Sequence, residues 1–125
     1  MTDYPSKKVL IIDDDPSIRE TLSYFLLSQG FHAESVEDGD TALKTLQQSP
    51  FDLLIVDVDM PRMNGIDLLK CLKEKNINTP SIIITGLISD MIHKEANKLK
   101  VLEVMEKPLS LYDILGCIQK GLRPA

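Results

Sequence analysis

The sequence predicts an α/β fold, a three-layer α/β/α sandwich around a five-stranded parallel sheet. Three observations point to it. Short apolar runs rich in β-branched residues recur along the chain, and such runs read as strands buried on both faces of a sheet. Segments with apolar residues at helical spacing alternate with them, the pattern of successive β-α units. The chain has 125 residues, 43% hydrophobic and 26% charged, which suits one soluble domain with one packed unit. That domain is expected to span 1–125, with about 6–122 structured.

The first strand falls near 7–12, where Val9-Leu10-Ile11-Ile12 ends on Asp13-Asp14-Asp15. Asp15-Pro16 supplies an N-cap and a proline at the first helical position. Ile18, Leu22, Phe25 and Leu26 then form the stripe of a helix over 16–29, and Gly30 closes it. A strand near 31–36 and a helix near 39–48 follow. The third strand, 52–57, contains Leu53-Leu54-Ile55-Val56 and ends on Asp57. Asn64-Gly65 breaks the next loop ahead of a helix over 65–75 with Ile66, Leu69 and Leu72 on its apolar face. The fourth strand, 80–85, carries Ser81-Ile82-Ile83-Ile84 and ends on Thr85. A fourth helix over 88–99 has helical spacing at Ile88, Met91, Ile92, Ala96 and Leu99, but a thin apolar face. The fifth strand, 101–105, is also read as buried on both faces and runs into Glu106-Lys107-Pro108. Leu111, Ile114, Leu115, Ile118 and Leu122 stripe a final helix over 110–121, with Ser110 and Asp113 as a capping pair.

Composition excludes several function classes. A net charge of −5 and a pI near 4.9 argue against direct nucleic acid binding, which demands a basic face. No apolar stretch approaches the ~18–20 residues of a membrane span. The segment Met1-Thr2-Asp3-Tyr4-Pro5 lacks the apolar core of a signal peptide. Cys71 and Cys117 have no metal-ligand spacing and read as packed thiols. Together these features describe a cytoplasmic protein without a membrane partner. His32 and His93 are isolated and read as surface or packing residues, Met60 and Met63 as packing around Pro61, and Lys94, Lys98 and Lys100 as a solvated helix face.

The residues that follow the strands carry the chemistry. In open parallel α/β sheets, ligands bind beyond the carboxyl ends of the strands. Asp13, Asp14, Asp57, Thr85 and Lys107 are therefore expected in one cleft. Carboxylates crowded there repel one another and lose hydration. A hard divalent cation such as Mg²⁺, which takes oxygen ligands, would relieve that repulsion, and Lys107 adds a fixed positive charge. Asp57 is the candidate nucleophile, since a carboxylate attacking phosphorus forms an acyl phosphate. Mg²⁺, Lys107, the Thr85 hydroxyl and backbone N–H groups after Asp57 would meet the charge on the phosphoryl oxygens. Asp15 reads as a capping acid.

Four segments agree in order and spacing with a known family: Val9 to Pro16, Asp52 to Gly65, Ile82 to Gly86, and Glu106 to Leu109. The chain resembles a response-regulator receiver domain over nearly its whole length. The resemblance implies a flavodoxin-like sheet of order 2-1-3-4-5. It makes Asp57 the phosphoacceptor, Asp14 a direct Mg²⁺ ligand and Asp13 a ligand mainly through water. Asp59 would add its backbone carbonyl, Thr85 would be the switch hydroxyl, and the Lys107-Pro108 bond would be cis. It also implies a sensor histidine kinase or histidine phosphotransfer protein as donor, and an effector domain or partner protein as output. The switched surface would be helix four, strand five and helix five. The chain would be no enzyme beyond self-catalysed phosphotransfer and slow autodephosphorylation, and would be a monomer or a phosphorylation-dependent homodimer.

Two positions depart from the family pattern. Val104 stands where many receivers carry an aromatic residue, which puts the usual Thr-to-aromatic switch in doubt, along with membership of the subfamily that dimerises through this face. Lys100-Val101 stands where Gly-Ala is frequent. The alternative reading is a haloacid-dehalogenase-type phosphatase using Asp57 as nucleophile and Asp59 as general acid. Against it, those enzymes carry the Asp-x-Asp on their first strand, run longer and lack an upstream acidic pair. A flavodoxin-like cofactor binder would need a phosphate loop where Asp13-Asp14-Asp15-Pro16 stands. The end, Lys120 to Ala125, reads as a terminus or the start of a linker.

Overall fold

The computed structural model describes residues 7–122. Residues 1–6 and 123–125, which include the segment read for a targeting signal and the chain end read as terminus or linker, lie outside the described residues. The elements run β1 (Lys8–Ile12), α1 (Pro16–Ser28), β2 (His32–Val36), α2 (Gly39–Gln48), β3 (Leu53–Asp57), α3 (Gly65–Glu74), β4 (Ser81–Thr85), α4 (Asp90–Leu99), β5 (Glu103–Glu106) and α5 (Leu111–Gly121). All neighbouring strands are parallel, in the order β2-β1-β3-β4-β5. The fold class, strand order and alternation expected from the sequence all hold.

Alternation along the strands divides the interior in two. Leu10, Ile12, Leu54, Val56 and Ile83 face α2, α3 and α4, with Ala42, Leu68, Leu72 and Ile92. Val9, Ile11, Leu53, Ile55, Ile82 and Ile84 face α1 and α5, with Leu22, Leu26, Ile114 and Ile118. This period of two sends successive side chains to opposite faces, so β1, β3 and β4 are apolar on both faces over residues 9–12, 53–56 and 82–84. Burying a Leu or Ile side chain contributes about 1.5–3 kcal/mol, and both layers draw on it.

The helices begin on side-chain caps. Asp15 accepts from the Ser17 N–H, Asp38 from Thr41, Ser89 from Ile92 and Ser110 from Asp113. Asn64 and Asp67 form a reciprocal capping box at α3. Three helices end on a residue in the left-handed region: Gly30 (φ 94°), Asn76 (φ 60°) and Lys100 (φ 57°). Each ending has paired reverse hydrogen bonds, as in Gly30 N–H to Leu27 O with Phe31 N–H to Leu26 O, and Lys100 N–H to Asn97 O with Val101 N–H to Ala96 O.

Two expectations need correction. β5 begins at Glu103, not Val101, and is not buried on both faces: Glu103 and Glu106 are exposed, and Val104 and Met105 half-buried. Val101 belongs to the turn that closes α4, where its N–H is consumed, while the Leu102 N–H already donates to the Ser81 carbonyl of β4. In α4, Ile92 and Ala96 are buried but Met91 is 68% exposed, so it lies off the packing face.

Candidate functional site

Register brings the chemistry together. Ile12 is level with Val56, Asp57 with Ile84, and Thr85 with Glu106. Asp13, Asp57, Thr85 and Lys107 therefore sit at or just beyond the carboxyl ends of β1, β3, β4 and β5. The Lys107 N–H donates to the Thr85 carbonyl at 2.8 Å and the Val58 N–H to the Ile84 carbonyl at 2.8 Å, which ties the loops to the sheet. The Lys107-Pro108 bond is cis.

Asp13 and Asp57 are each 1% exposed. The Lys107 ammonium lies between them, 3.6 Å from Asp13 Oδ2 and 3.4 Å from Asp57 Oδ1. One carboxylate atom each of Asp13, Asp14 and Asp57 falls within a mutual 4.8 Å, and Asp14 is exposed. Backbone donors fix one oxygen of each: the Asp15 N–H donates to Asp13 Oδ1 at 2.9 Å, and the Asp59 N–H donates at 3.1 Å to Asp57 Oδ1, the oxygen that also faces Lys107. Asp57 Oδ2 is buried without a hydrogen-bond partner among the described residues. A buried charged oxygen in that state is costly.

The titration behaviour follows from this crowding. Burial, then the negative charge of Asp13, pushes the Asp57 carboxyl up to about 6, with the Asp59 N–H and Lys107 opposing. Burial also raises Asp13, against the Asp15 N–H and Lys107. For Lys107, burial favours the neutral amine, but the two carboxylates outweigh it and hold its pKa above the ordinary value. Two buried carboxylates share one ammonium, so the cluster is short of positive charge.

A hard divalent cation fits this donor set. The donors are all oxygens, two of them (Asp13 Oδ2 and Asp57 Oδ2) are buried without a hydrogen-bond partner among the described residues, and the cluster lacks a positive charge. Asp59 takes a different place from the three clustered carboxylates. Its Oδ2 accepts from the Gly86 N–H at 2.9 Å and lies 3.4 Å from the Thr85 hydroxyl. Any share of Asp59 in a metal site would thus be through its backbone. Thr85, 1% exposed, hydrogen-bonds with Asp59 and with the backbone of Leu87, its hydroxyl 3.2 Å from the Leu87 carbonyl. Asp15 caps α1 as expected. His32 and His93 are exposed and lie outside the cluster, and both cysteines are half-buried free thiols.

Sequence reasoning missed two contributors. Arg19 donates through Nη1 to the Asp13 carbonyl at 2.8 Å, pinning the acidic loop to α1. Gly65 packs so closely under β3 that a Cβ there would strike the carbonyl oxygen of Asp57. The Asn64-Gly65 pair was visible as a loop break, but its reason lies in this tertiary approach.

Comparison with known proteins agrees with the geometry. The family model for the response regulator receiver domain matches residues 9–119. The response regulator receiver protein CpdR of Brucella abortus (strain 2308) is 31% identical over 93% of this chain and 97% of its own length. The transcriptional regulatory protein FixJ of Bradyrhizobium diazoefficiens is 32% identical over 94% of this chain but 57% of its own length. The chain thus spans about half of several transcriptional regulators that it matches. Among solved structures, Vibrio cholerae chemotaxis protein CheY4 superposes with a TM-score of 0.87 at 31% identity, covering 94% of this chain and 99% of that one. Thermotoga maritima response regulator TrrA, solved in complex with Mg²⁺-BeF, gives a TM-score of 0.81 at 26% identity over 93% of this chain and 99% of its own. With the sheet order, the strand-end cluster and the family model in agreement, the chain belongs to the response-regulator receiver domains.

Proposed function

We propose that this domain takes a phosphoryl group from a histidine kinase or histidine phosphotransfer protein onto Asp57, in a Mg²⁺-dependent reaction, and changes its α4-β5-α5 surface in response. The observation that carries the reading is the orphaned, buried Oδ2 of Asp57 beside Asp13 and Asp14, with Lys107 on the other oxygen. Asp13, Asp14 and Asp57 would hold the cation, with the Asp59 carbonyl. The ion would supply positive charge to the phosphoryl oxygens, a role that TrrA's complex with Mg²⁺-BeF supports by analogy.

A carboxylate oxygen of Asp57 attacks phosphorus, the bond from phosphorus to the donor imidazole breaks, and the leaving nitrogen keeps the electron pair and takes a proton. Lys107 neutralises charge on the transferring group, and the Thr85 hydroxyl becomes a donor to it after turning from Asp59. A groove of about 340 Å³ beside Lys107, lined by Ile18, Leu22, Leu109 and Leu111, offers apolar surface for the donor to dock. The reading implies a cytoplasmic protein acting with an effector domain or partner. The whole described segment, 7–122, would act as one receiver unit.

The phosphatase alternative is less favoured. Its general acid would be Asp59, whose carboxylate is occupied by the Gly86 N–H. Turnover of p-nitrophenyl phosphate would support it. The main test is incubation with acetyl phosphate and Mg²⁺. One phosphoryl group should add to the wild type and none to Asp57→Asn, and chelating the metal should abolish uptake. Equal labelling of Asp57→Asn would refute the assignment.

A further inference from the structure

We infer that the Asp59 carboxylate is a positioning residue that latches the loop after β4 in the resting state and must let go for the domain to switch. The inference rests on Asp57 being the phosphoacceptor and adds a role for a side chain outside the carboxylate cluster. Asp59 joins the two loops that have to communicate. Its backbone N–H donates to Asp57 Oδ1 at 3.1 Å. Its Oδ2 reaches across to β4, accepting from the Gly86 N–H at 2.9 Å and sitting 3.4 Å from the Thr85 hydroxyl. The Thr85 oxygen in turn accepts from the Leu87 N–H at 3.3 Å. The Asp59 carboxylate thus holds the first residue of the β4-α4 loop and, together with the Leu87 carbonyl 3.2 Å from the same hydroxyl, gives the Thr85 proton acceptors away from Asp57.

Phosphorylation would work against the latch in two ways. A phosphoryl group adds about −1.5 to −2 charge, and Asp59 lies two residues from the atom that carries it. Like charges repel, so the carboxylate is driven off. The new oxygens also compete for the Thr85 proton. Releasing Asp59 frees Gly86, whose space is open: a Cβ there would approach no atom closer than Asp59 Oδ2, at 3.5 Å. The loop and α4 behind it can then move. Because the latch favours the resting state, it lowers affinity for anything that requires the switched state, by the same factor.

The experiment is amide hydrogen exchange by NMR on metal-free wild type, Asp59→Ala and Asp59→Asn. Asn keeps a carbonyl oxygen for the Gly86 N–H, and Ala keeps none. Exchange at Gly86 and Leu87 should rise about fivefold or more in Asp59→Ala and stay within about twofold in Asp59→Asn. The Ile83 amide, in the middle of β4, should not change in either variant, which separates latch loss from general loosening. Adding Mg²⁺ and beryllofluoride should move wild-type Gly86 toward the Ala level. Asp59→Ala should bind beryllofluoride about fivefold tighter than wild type. Gly86 exchange in Asp59→Ala within about twofold of wild type would overturn the latch. So would unchanged wild-type Gly86 exchange with beryllofluoride visibly bound by fluorine NMR. If beryllofluoride does not bind at all, the acceptor reading fails, and the metal-free comparison alone decides on the latch.

Discussion

Asp57 carries an electrostatic penalty that the fold tolerates for the sake of the site. Burial and Asp13 lift its pKa from 3.8 to about 6. An acid whose folded pKa is raised binds more protons folded than unfolded between those values. Its stabilising contribution is therefore complete below about pH 4 and is lost as pH rises through about 6, on the order of 3 kcal/mol. Asp13 acts in the same direction. Asp38, with a lowered pKa from the Thr41 N–H, has the opposite sign and acts below its ordinary value, outside this window. The metal-free protein should thus melt at a higher temperature at pH 5 than at pH 7.5. Asp57→Asn should flatten that dependence and raise the pH 7.5 melting temperature by a few degrees, as thermal scans at several pH values would read. A metal-free melting temperature that climbs from pH 5 to 7.5 would contradict this account. The acids and Lys107 were legible because each follows a strand directly. Arg19, Gly65 and the Asp59 carboxylate were not, because their roles come from three-dimensional contacts that no local pattern encodes: Arg19 folds back on the Asp13 carbonyl, Gly65 packs under Asp57, and Asp59 reaches across to Gly86. Gly65 gives the second prediction at this scale. Gly65→Ala should push the Asp57 carbonyl out of line, costing about 2–4 kcal/mol of stability and slowing acetyl phosphate labelling at least about tenfold. Urea unfolding and label uptake measure the two effects. Wild-type values for both would show that α3 can shift freely.

The helix endings compare one motif with three residues. α1, α3 and α4 each close with a left-handed residue, and Gly30, Asn76 and Lys100 fill that position in turn. Gly adopts this conformation freely, Asn with modest strain, and a long side chain at about 1–2 kcal/mol. Lys100 is where Gly is frequent in the family, so the departure seen in the sequence has a measurable cost. Lys100→Gly should stabilise the protein by about 0.5–1 kcal/mol, raising the melting temperature by about 2–4 °C, without altering labelling of Asp57. An unchanged or lower melting temperature would mean that Lys100 is compensated elsewhere on α4. The same turn explains why β5 was misread. Val101-Leu102 has the composition of a strand, but the Schellman-type closure takes the Val101 N–H first. Composition reports which residues want burial, not which hydrogen-bond system captures their backbone. β5 is also an edge strand, paired with β4 alone, so each face carries one half-buried apolar residue, Val104 or Met105, and one exposed glutamate, Glu106 or Glu103.

At the scale of the whole molecule, the three central strands and their two apolar layers form a rigid slab, and the site sits on its rim. A change at Asp57 must leave through something less firmly held. β5 is a poor carrier. Val104 is level with Ile83 and packs against the core layer, and its β-branched side chain has one stiff torsion. It is too short to follow Thr85 across the space that an aromatic ring would sweep. The β4-α4 segment is the better carrier. Gly86 has room, Leu87 and Met91 are 72% and 68% exposed, and α4 buries Ile92 and Ala96 against the sheet. Few buried contacts mean a low local free energy of opening, and an element of that kind shifts first when its tether changes. Beryllofluoride with Mg²⁺ should therefore move the backbone amide resonances of 86–99 more than those of 103–106. Val104→Ala should leave that pattern unchanged, since the side chain takes no part in transmission. Large shifts at 103–106 with a silent 86–99 segment would show that this chain signals through β5 despite its small side chain.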